Sequence, residues 1–488
     1  MIGARDMNIL RKTMSTCPIC LDKIPADIID EDGKVYLVKK CKNHGEFKDV
    51  YFGSTQLYAK LMEYFDGDDS DVADDDCPNA CGICDSHKSS TVLANIDLTS
   101  ACNFRCPVCF AHSEDDACLY QPSIDDVARM MDILRHGDPP CHVLQLSGGE
   151  PTLHEDFFEI ARLAREKGFV QLQVATNGKI LAENPDFAKR LAQADFDTVY
   201  LQFDGVTPEP YIALRGFNAL PLKVRAIENI RKYGPRPNIV LVPTLVKGIN
   251  DGQIGDIIRF AAENIDVVRG IVFQPVSYTG RIQNEELLNR RYTIPDLMHA
   301  VQEQTENEVG IDDFLPVSAA SPLLEFLERF SHGSRYPVLS THPACGVWTF
   351  AFKDRGKLIP LTRIIRIDEL LTFLDTVQTT SKSSLVVKIT AKLHRLIRPQ
   401  SIRYAKRIKN WISDLLTEQS VDSASAFTNN PTVLFIGAMH FMDAYNFDFQ
   451  RVKRCCIHYA TPDGRVIPFC SYNVFYREKV ESAFRVKS

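Results

Sequence analysis

The placement of its cysteines constrains this chain more than any other feature. Eleven of the 15 cysteines lie in the first 141 residues, none falls between Cys141 and Cys345, and the last four are Cys345, Cys455, Cys456 and Cys470. Inside these regions the spacing is tight: Cys17-x2-Cys20 with Cys41 and His44, then Cys77-x3-Cys81-x2-Cys84, then Cys102-x3-Cys106-x2-Cys109. Buried structural cysteines have no reason to repeat two- and three-residue gaps. A metal gripped from one loop needs them. The isolated Cys118 and Cys141 read as small buried hydrophobes. No apolar run reaches the ~18 residues of a membrane-spanning helix. The N-terminus also lacks the apolar stretch and cleavage site of a secretory signal. A chain of net charge −7 without such a signal is expected in the cytoplasm, with nucleic acid not an expected partner. There thiols stay reduced and bind metal rather than pair.

At 488 residues the chain has room for about three domains. Residues 1–66 read as a metal-stapled module, in which two Cys/His knuckles flank the alternating strand-like segment 34–39. Residues 67–90 hold an acidic, turn-rich linker and the Cys77–Cys84 loop. From residue 91 to 284 apolar β-type runs (92–98, 143–147, 170–176, 199–203, 239–246, 271–276) alternate with amphipathic helical stretches (124–135, 157–167, 186–193, 222–233, 254–263). That alternation implies an α/β fold with a parallel sheet, open or a partial barrel, whose active groups gather at the C-terminal strand ends. Residues 285–430, within a C-terminal region 285–488, read as helical. Between Asp375 and Asp414 there is no acidic residue but a basic series, Lys382, Lys388, Lys392, Arg395, Arg398, Arg403, Lys406, Arg407 and Lys409. Apolar residues interleave at helical spacing, which suits either a face packed on the core or an anionic membrane surface.

The Cys102, Cys106, Cys109 loop follows the first strand of the alternating region. Three thiolates at this spacing can hold three irons of a [4Fe–4S] cube and leave the fourth without a protein ligand, open to a chelating cosubstrate. One strand later comes Leu146-Ser-Gly-Gly-Glu-Pro151, where Gly148 and Gly149 permit close backbone approach and Glu150 offers an acceptor for an ammonium group.

These motifs resemble the radical SAM superfamily. The resemblance covers roughly residues 91–280 and implies a partial (β/α)6 barrel. It also implies S-adenosylmethionine (SAM) on the open iron and a low-potential electron donor such as ferredoxin or flavodoxin. The residue before the third cysteine is Val108 where the superfamily usually has an aromatic, so Phe110 is the candidate ring. The pattern carries Gly148, Gly149 and Glu150 to the methionyl end of SAM and Thr176 and Asn177 to its carboxylate or ribose. Gln202, Asp204, Thr244 and Gln274 would line the pocket on later strand tips. Context separates the two cysteine trios: Cys77, Cys81 and Cys84 lack a glycine-rich strand end at the matching distance. They are therefore assigned to an auxiliary cluster, with His87 a candidate fourth ligand. Cys345, Cys455, Cys456 and Cys470 supply another, with Cys455 favoured over its neighbour. Cys17, Cys20, Cys41 and His44 suit a mononuclear iron or zinc.

Across nearly the whole chain the pattern resembles tetraether lipid synthases, a branch also described as class D radical SAM methyltransferases acting on a pterin. The features that carry the likeness are the N-terminal Cys-Pro-x-Cys module, Lys40 to Phe47, the Cys77 trio and His458-Tyr-Ala-Thr-Pro-Asp-Gly-Arg465. The leading expectation is carbon–carbon coupling of isoprenoid chain ends in diether lipids, with peripheral membrane contact. The alternative is methyl transfer to a dihydro-hydroxymethylpterin-like small molecule. A non-catalytic iron–sulfur carrier is third, and it would gain nothing from a vacant iron.

Overall fold

The computed structural model describes residues 8–65, 77, 82–111, 119–234, 236–282, 286, 290–322, 338–376, 388, 392, 395–408 and 432–485. Its N-terminal part is a four-stranded antiparallel sheet of β1 (Asn8–Thr16), β2 (Lys23–Glu31), β3 (Lys34–Cys41) and β4 (Gly45–Phe52), paired in chain order. Strand β3 buries every second residue, Val35, Leu37, Lys39 and Cys41, the period-two pattern of a half-buried strand. Asp32 and Gly33, both at positive φ (51° and 76°), make the tight β2–β3 turn.

This sheet is fastened to residues 443–448 near the other end of the chain. The buried Asp448 carboxylate receives Arg11 (2.6 Å), Thr13 Oγ1 (2.7 Å) and the Tyr51 hydroxyl (2.7 Å). Lys39 Nζ donates to the Ala444 carbonyl (2.7 Å), and Arg291 bridges Asp49 and Asp443 at 2.5 and 3.0 Å. Buried charges are tolerated when paired and hydrogen-bonded in this way.

The second layer is built from β5 (Leu93–Thr99), β6 (Val108–Cys109), β7 (Val143–Gly148), β8 (Gln171–Thr176), β9 (Thr198–Gln202), β10 (Asn238–Val242), β11 (Thr244–Leu245) and β12 (Val268–Pro275). Strands β5, β7, β8, β9, β10 and β12 lie side by side in that order, all parallel. Their near-continuous burial is that of a sheet covered on both faces. The crossover helices follow their apolar periodicity; Phe157–Glu166, for example, buries Phe157, Ile160, Ala161 and Ala164. The expected strand 239–246 is divided into β10 and β11 at Pro243, which has no N–H for the ladder.

The remaining strands are β13 (Arg281–Ile282), β14 (Leu315–Pro316), β15 (Gly346–Asp354), β16 (Lys357–Pro360), β17 (Val433–Met439), β18 (Ile457–Ala460) and β19 (Val466–Pro468). β17 runs parallel beside β12 and β18 parallel beside β5, so the C-terminal region extends both edges of the central sheet. The helical reading of 285–430 is corrected here by β14, β15 and β16. The aromatic and β-branched run Val347-Trp-Thr-Phe350 favours a pleated surface, and its antiparallel pairing with β17 decides the outcome.

Much of the basic stretch, Lys382 and Lys409 included, lies outside the described residues. Where it is described, Leu396, Ile397, Tyr404 and Ile408 are buried with Phe350 and Phe352. They face the protein core. No helix among the described residues is long and apolar enough to cross a membrane.

Candidate active site and metal centres

The loop carrying Cys102, Cys106 and Cys109 leaves the C-terminal end of β5, and the Gly148-Gly149-Glu150 turn at the end of β7 closes onto it. Gly149 N–H donates to the Thr99 carbonyl (2.7 Å) and Glu150 N–H to that of Ala101 (2.8 Å). A Cβ on Gly148 would lie 2.4 Å from the Thr99 oxygen, and one on Gly149 would lie 2.3 Å from that of Ala101. The paired glycines are therefore required by the approach of two backbones, the strand-end turn and the root of the cysteine loop.

Glu150 is buried, and burial pushes its acid up; hydrogen bonds to the carboxylate oppose that push. It accepts from Thr152 Oγ1 (2.5 Å), Thr176 Oγ1 (2.7 Å) and Asn177 N–H (2.8 Å). Asn177 turns its side-chain amide to Asn103 Oδ1 (2.7 Å) and lies 3.8 Å from Cys102 Sγ. Thr176 and Asn177 thus orient Glu150 and the cysteine loop together. Gln202 accepts from Lys223 Nζ (2.7 Å) and donates to Asp204. Asp204 is gripped by Arg215 at 2.7 and 2.8 Å, and Thr244 Oγ1 accepts from the same guanidinium at 2.9 Å. Gln274 sits opposite Thr244 in the β11–β12 ladder.

Three basic residues absent from the sequence expectations bind this network together. Lys223 is wholly buried, donates to the Asn177 carbonyl and lies 5.1 Å from the Phe104 ring centroid; burial brings its ammonium down to about 7. Arg215 donates to the Val108 carbonyl (3.0 Å) and Arg281 to that of Cys106 (3.0 Å). Lys223 left a legible signal. It shares one helical face with Ala226, Ile227 and Ile230, where an apolar residue belongs. Burial pushes the Cys102 thiol up to about 12 and raises that of Cys106. Thiols in such surroundings ionise when a metal takes them.

In the N-terminal sheet Cys17, Cys20, Cys41 and His44 bring their donor atoms within 4.8 Å of one another. Cys20 Sγ and Cys41 Sγ are 3.9 Å apart, and His44 Nδ1 is 3.6 and 3.5 Å from Cys17 and Cys41. Zinc–thiolate bonds of ~2.3 Å give tetrahedral edges of ~3.8 Å, so the donor set fits one tetrahedral ion.

At the C-terminal end burial, reinforced by the neighbouring thiols, pushes the Cys455 and Cys470 thiols up, and Arg451 Nε lies 3.3 Å from Cys345 Sγ. Cys456 instead accepts from Thr341 Oγ1 at 3.4 Å. Cys77 packs in the same cluster as Cys470, with Met442 and Phe469. Cys81 lies outside the described residues, as does Cys118, and Cys84 is exposed. His87 Nε2 is engaged with the Cys455 carbonyl (2.8 Å) and His458 (3.2 Å). Phe110 stacks on Phe469, with centroids 5.5 Å apart, and so links the loop after Cys109 to the residue before Cys470.

The radical SAM superfamily profile matches residues 96–261, and a zinc ribbon described as the HMPTM N-terminal zinc ribbon domain matches residues 9–53. The 7,8-dihydro-6-hydroxymethylpterin dimethyltransferase of Methanocaldococcus jannaschii is 46% identical over 98% of this chain and 96% of its own. The chain belongs to that enzyme's family, within the radical SAM superfamily. A probable GTP 3′,8-cyclase of Thermococcus kodakarensis is 32% identical over 43% of this chain and 64% of that one. Among solved structures, Streptococcus suis SuiB bound to its precursor peptide aligns over 45% of this chain and 46% of that one, at TM-score 0.38 and 17% identity.

Radical SAM membership brings SAM and a [4Fe–4S] cluster as cofactors and a requirement for a low-potential reductant, and the ribbon adds a further metal site. The lipid-coupling expectation is corrected by the same comparison, because the relative that spans almost the whole radical SAM chain is named for methylating a pterin.

Proposed function

We propose that this chain is a radical SAM methyltransferase acting on a reduced hydroxymethylpterin. The observation that carries the reading is the 46% identity, over 98% of the chain, to an enzyme named for that reaction. The site's geometry supports the radical SAM part of the reading. Cys102, Cys106 and Cys109 would hold the [4Fe–4S] cluster by three irons, with the Glu150 carboxylate facing the amino group of SAM beside Gly148 and Gly149. When bound, the cluster and SAM supply one-electron cleavage of the sulfonium and a radical able to break a C–H bond. Thr176 and Asn177 hold Glu150 in place, and Gln202, Asp204, Thr244 and Gln274 form the adjoining wall. Cys17, Cys20, Cys41 and His44 would hold a single zinc or iron. Cys345, Cys455 and Cys470 would serve a second cluster, with Cys456 the spare thiol. Cys77 and Cys84, with Cys81, would complete auxiliary ligation.

The test is incubation of anaerobically reconstituted protein with excess dithionite, 7,8-dihydro-6-hydroxymethylpterin, and SAM in excess together with a reduced one-carbon carrier. The SAM cleaved to the radical keeps its methyl on methionine, so the transferred methyl must come from a second donor. The expected result is 5′-deoxyadenosine together with pterin heavier by one or two methylene units. 5′-Deoxyadenosine without a heavier pterin would remove the substrate assignment. Absence of 5′-deoxyadenosine would remove the radical chemistry.

A further inference from the structure

The cluster loop is anchored by guanidinium groups where plain peptide N–H groups would serve equally well as tethers. Arg215 ends the helix Pro208–Arg215, just before Gly216 at φ 85°, and is 8% exposed. It gives Nε and Nη2 to the Asp204 carboxylate (2.7 and 2.8 Å), Nη1 to the Val108 carbonyl (3.0 Å) and Nη2 also to Thr244 Oγ1 (2.9 Å). Asp204 is fully buried and takes a further hydrogen bond from Thr244 N–H at 3.2 Å. Arg281, whose strand pairs with Val108 and Cys109, gives Nε to the Cys106 carbonyl (3.0 Å). The bidentate fork on Asp204 leaves the Arg215 guanidinium no freedom to rotate away from the loop.

Charge is also uneven across the three thiols. Val108 directly precedes Cys109, so the Arg215 guanidinium, 3.0 Å from the Val108 carbonyl, is fixed one residue from a cluster ligand. At Cys102 the charged group linked to the loop is instead the Glu150 carboxylate, held by Asn177 N–H (2.8 Å) while the Asn177 side-chain amide lies 3.8 Å from Cys102 Sγ. A fixed cation beside cluster sulfurs offsets the negative charge that reduction adds, and charge and hydrogen bonding at the sulfurs are what set cluster potentials.

We propose that Arg215, locked by Asp204, is a positioning residue that fixes the Cys106–Cys109 segment and raises the reduction potential of the cluster held there. The step concerned is gain of one electron by the oxidised cluster from an external donor, dithionite in the test. The inference rests on the cluster assignment and not on the pterin as substrate, so its readout is a potential.

The experiment is an anaerobic redox titration of the full-length reconstituted protein, followed by electron paramagnetic resonance, on wild type, Arg215→Met and Asp204→Asn. Wild type without the cluster signal would end the cluster assignment itself. With the signal present, Arg215→Met is expected to lower the reduced-to-oxidised ratio about tenfold at a fixed potential, ~59 mV for one electron. Asp204→Asn, which leaves the cation and removes its counter-charge, is expected to raise that ratio. Opposite signs are the signature, since a merely structural role moves both variants the same way. Unchanged potentials, or shifts of one sign, overturn the proposal. Should Arg215→Met lose its cluster, the nearly isosteric Asp204→Asn decides alone: a raised ratio supports the proposal, and an unchanged or lowered one overturns it.

Discussion

The N-terminal ribbon and the loop after β5 present the same donors in opposite arrangements. In the ribbon, three thiols and His44 converge within 4.8 Å, and among the described residues no other group of three or more such donors converges so closely. Two backbone turns are enough to build it. In the loop, Cys102, Cys106 and Cys109 are held from outside by Asn177, Lys223, Arg215 and Arg281, which come from four different places in the fold. A single tetrahedral ion is satisfied by local residues and closes its coordination. A cube spreads three thiolates over three irons and leaves one open, so its geometry depends on the sheet that carries it. Under the proposed assignment, closed and structural stands against open and catalytic, and the contrast lies in who holds the ligands.

The sharpest break in the comparison is Cys102→Ala, expected to reduce 5′-deoxyadenosine formation to background while the ribbon keeps its metal; product chromatography with metal analysis reads both. Cys41→Ala should do the converse. It should lose about one metal equivalent per chain while keeping iron–sulfur absorbance, because four local donors define that site.

Asp448→Asn probes how the ribbon is fastened to the core. Although burial opposes its ionisation, Arg11 and Tyr51 hold the Asp448 carboxyl well below the usual carboxylate range. Removing one partner of a buried pair costs about 3–5 kcal/mol. A folded-state value below the unfolded ~3.9 means this contribution is present above about pH 4 and fades as pH falls. The gap in denaturation midpoint between variant and wild type should therefore be full at pH 7 and shrink below pH 4. A gap that widened in acid would contradict the assignment.

The smallest effect is expected from Glu150→Gln, with SAM affinity weakened roughly 10- to 100-fold, the scale of one charge-assisted hydrogen bond. Because burial raises the Glu150 acid, wild-type SAM affinity should fall as pH is lowered while that of the variant stays flat. Equilibrium binding across pH checks this.

The parallel core was legible because its strands are short apolar runs separated by helices of clean periodicity; the helices 124–135 and 254–263 match to the residue. The cysteine loop and the ribbon were legible because their ligands are close in sequence. What eluded sequence reading depends on distant contacts. Strand β18 joins β5 across more than 350 residues, and β15 becomes a strand by pairing with β17. The grip of Arg215 on Asp204 is set by how the helix Pro208–Arg215 folds back onto the end of β9, which the sequence does not spell out. Gly148 and Gly149 allow a close backbone approach, and in the fold the backbone that approaches is the root of the cysteine loop. The substrate was legible only as a choice between a diether lipid and a pterin, with the lipid put first, because a vacant iron and a carboxylate point to SAM and say nothing about what its radical attacks.

The central claim, that the Cys102 loop holds an open, SAM-binding cluster and the ribbon a closed ion, is tested most directly by adding SAM to the dithionite-reduced protein and following electron paramagnetic resonance. SAM should perturb the cluster signal in wild type and in Cys41→Ala, and perturb nothing in Cys102→Ala. A SAM-dependent change that survives in Cys102→Ala would contradict the account.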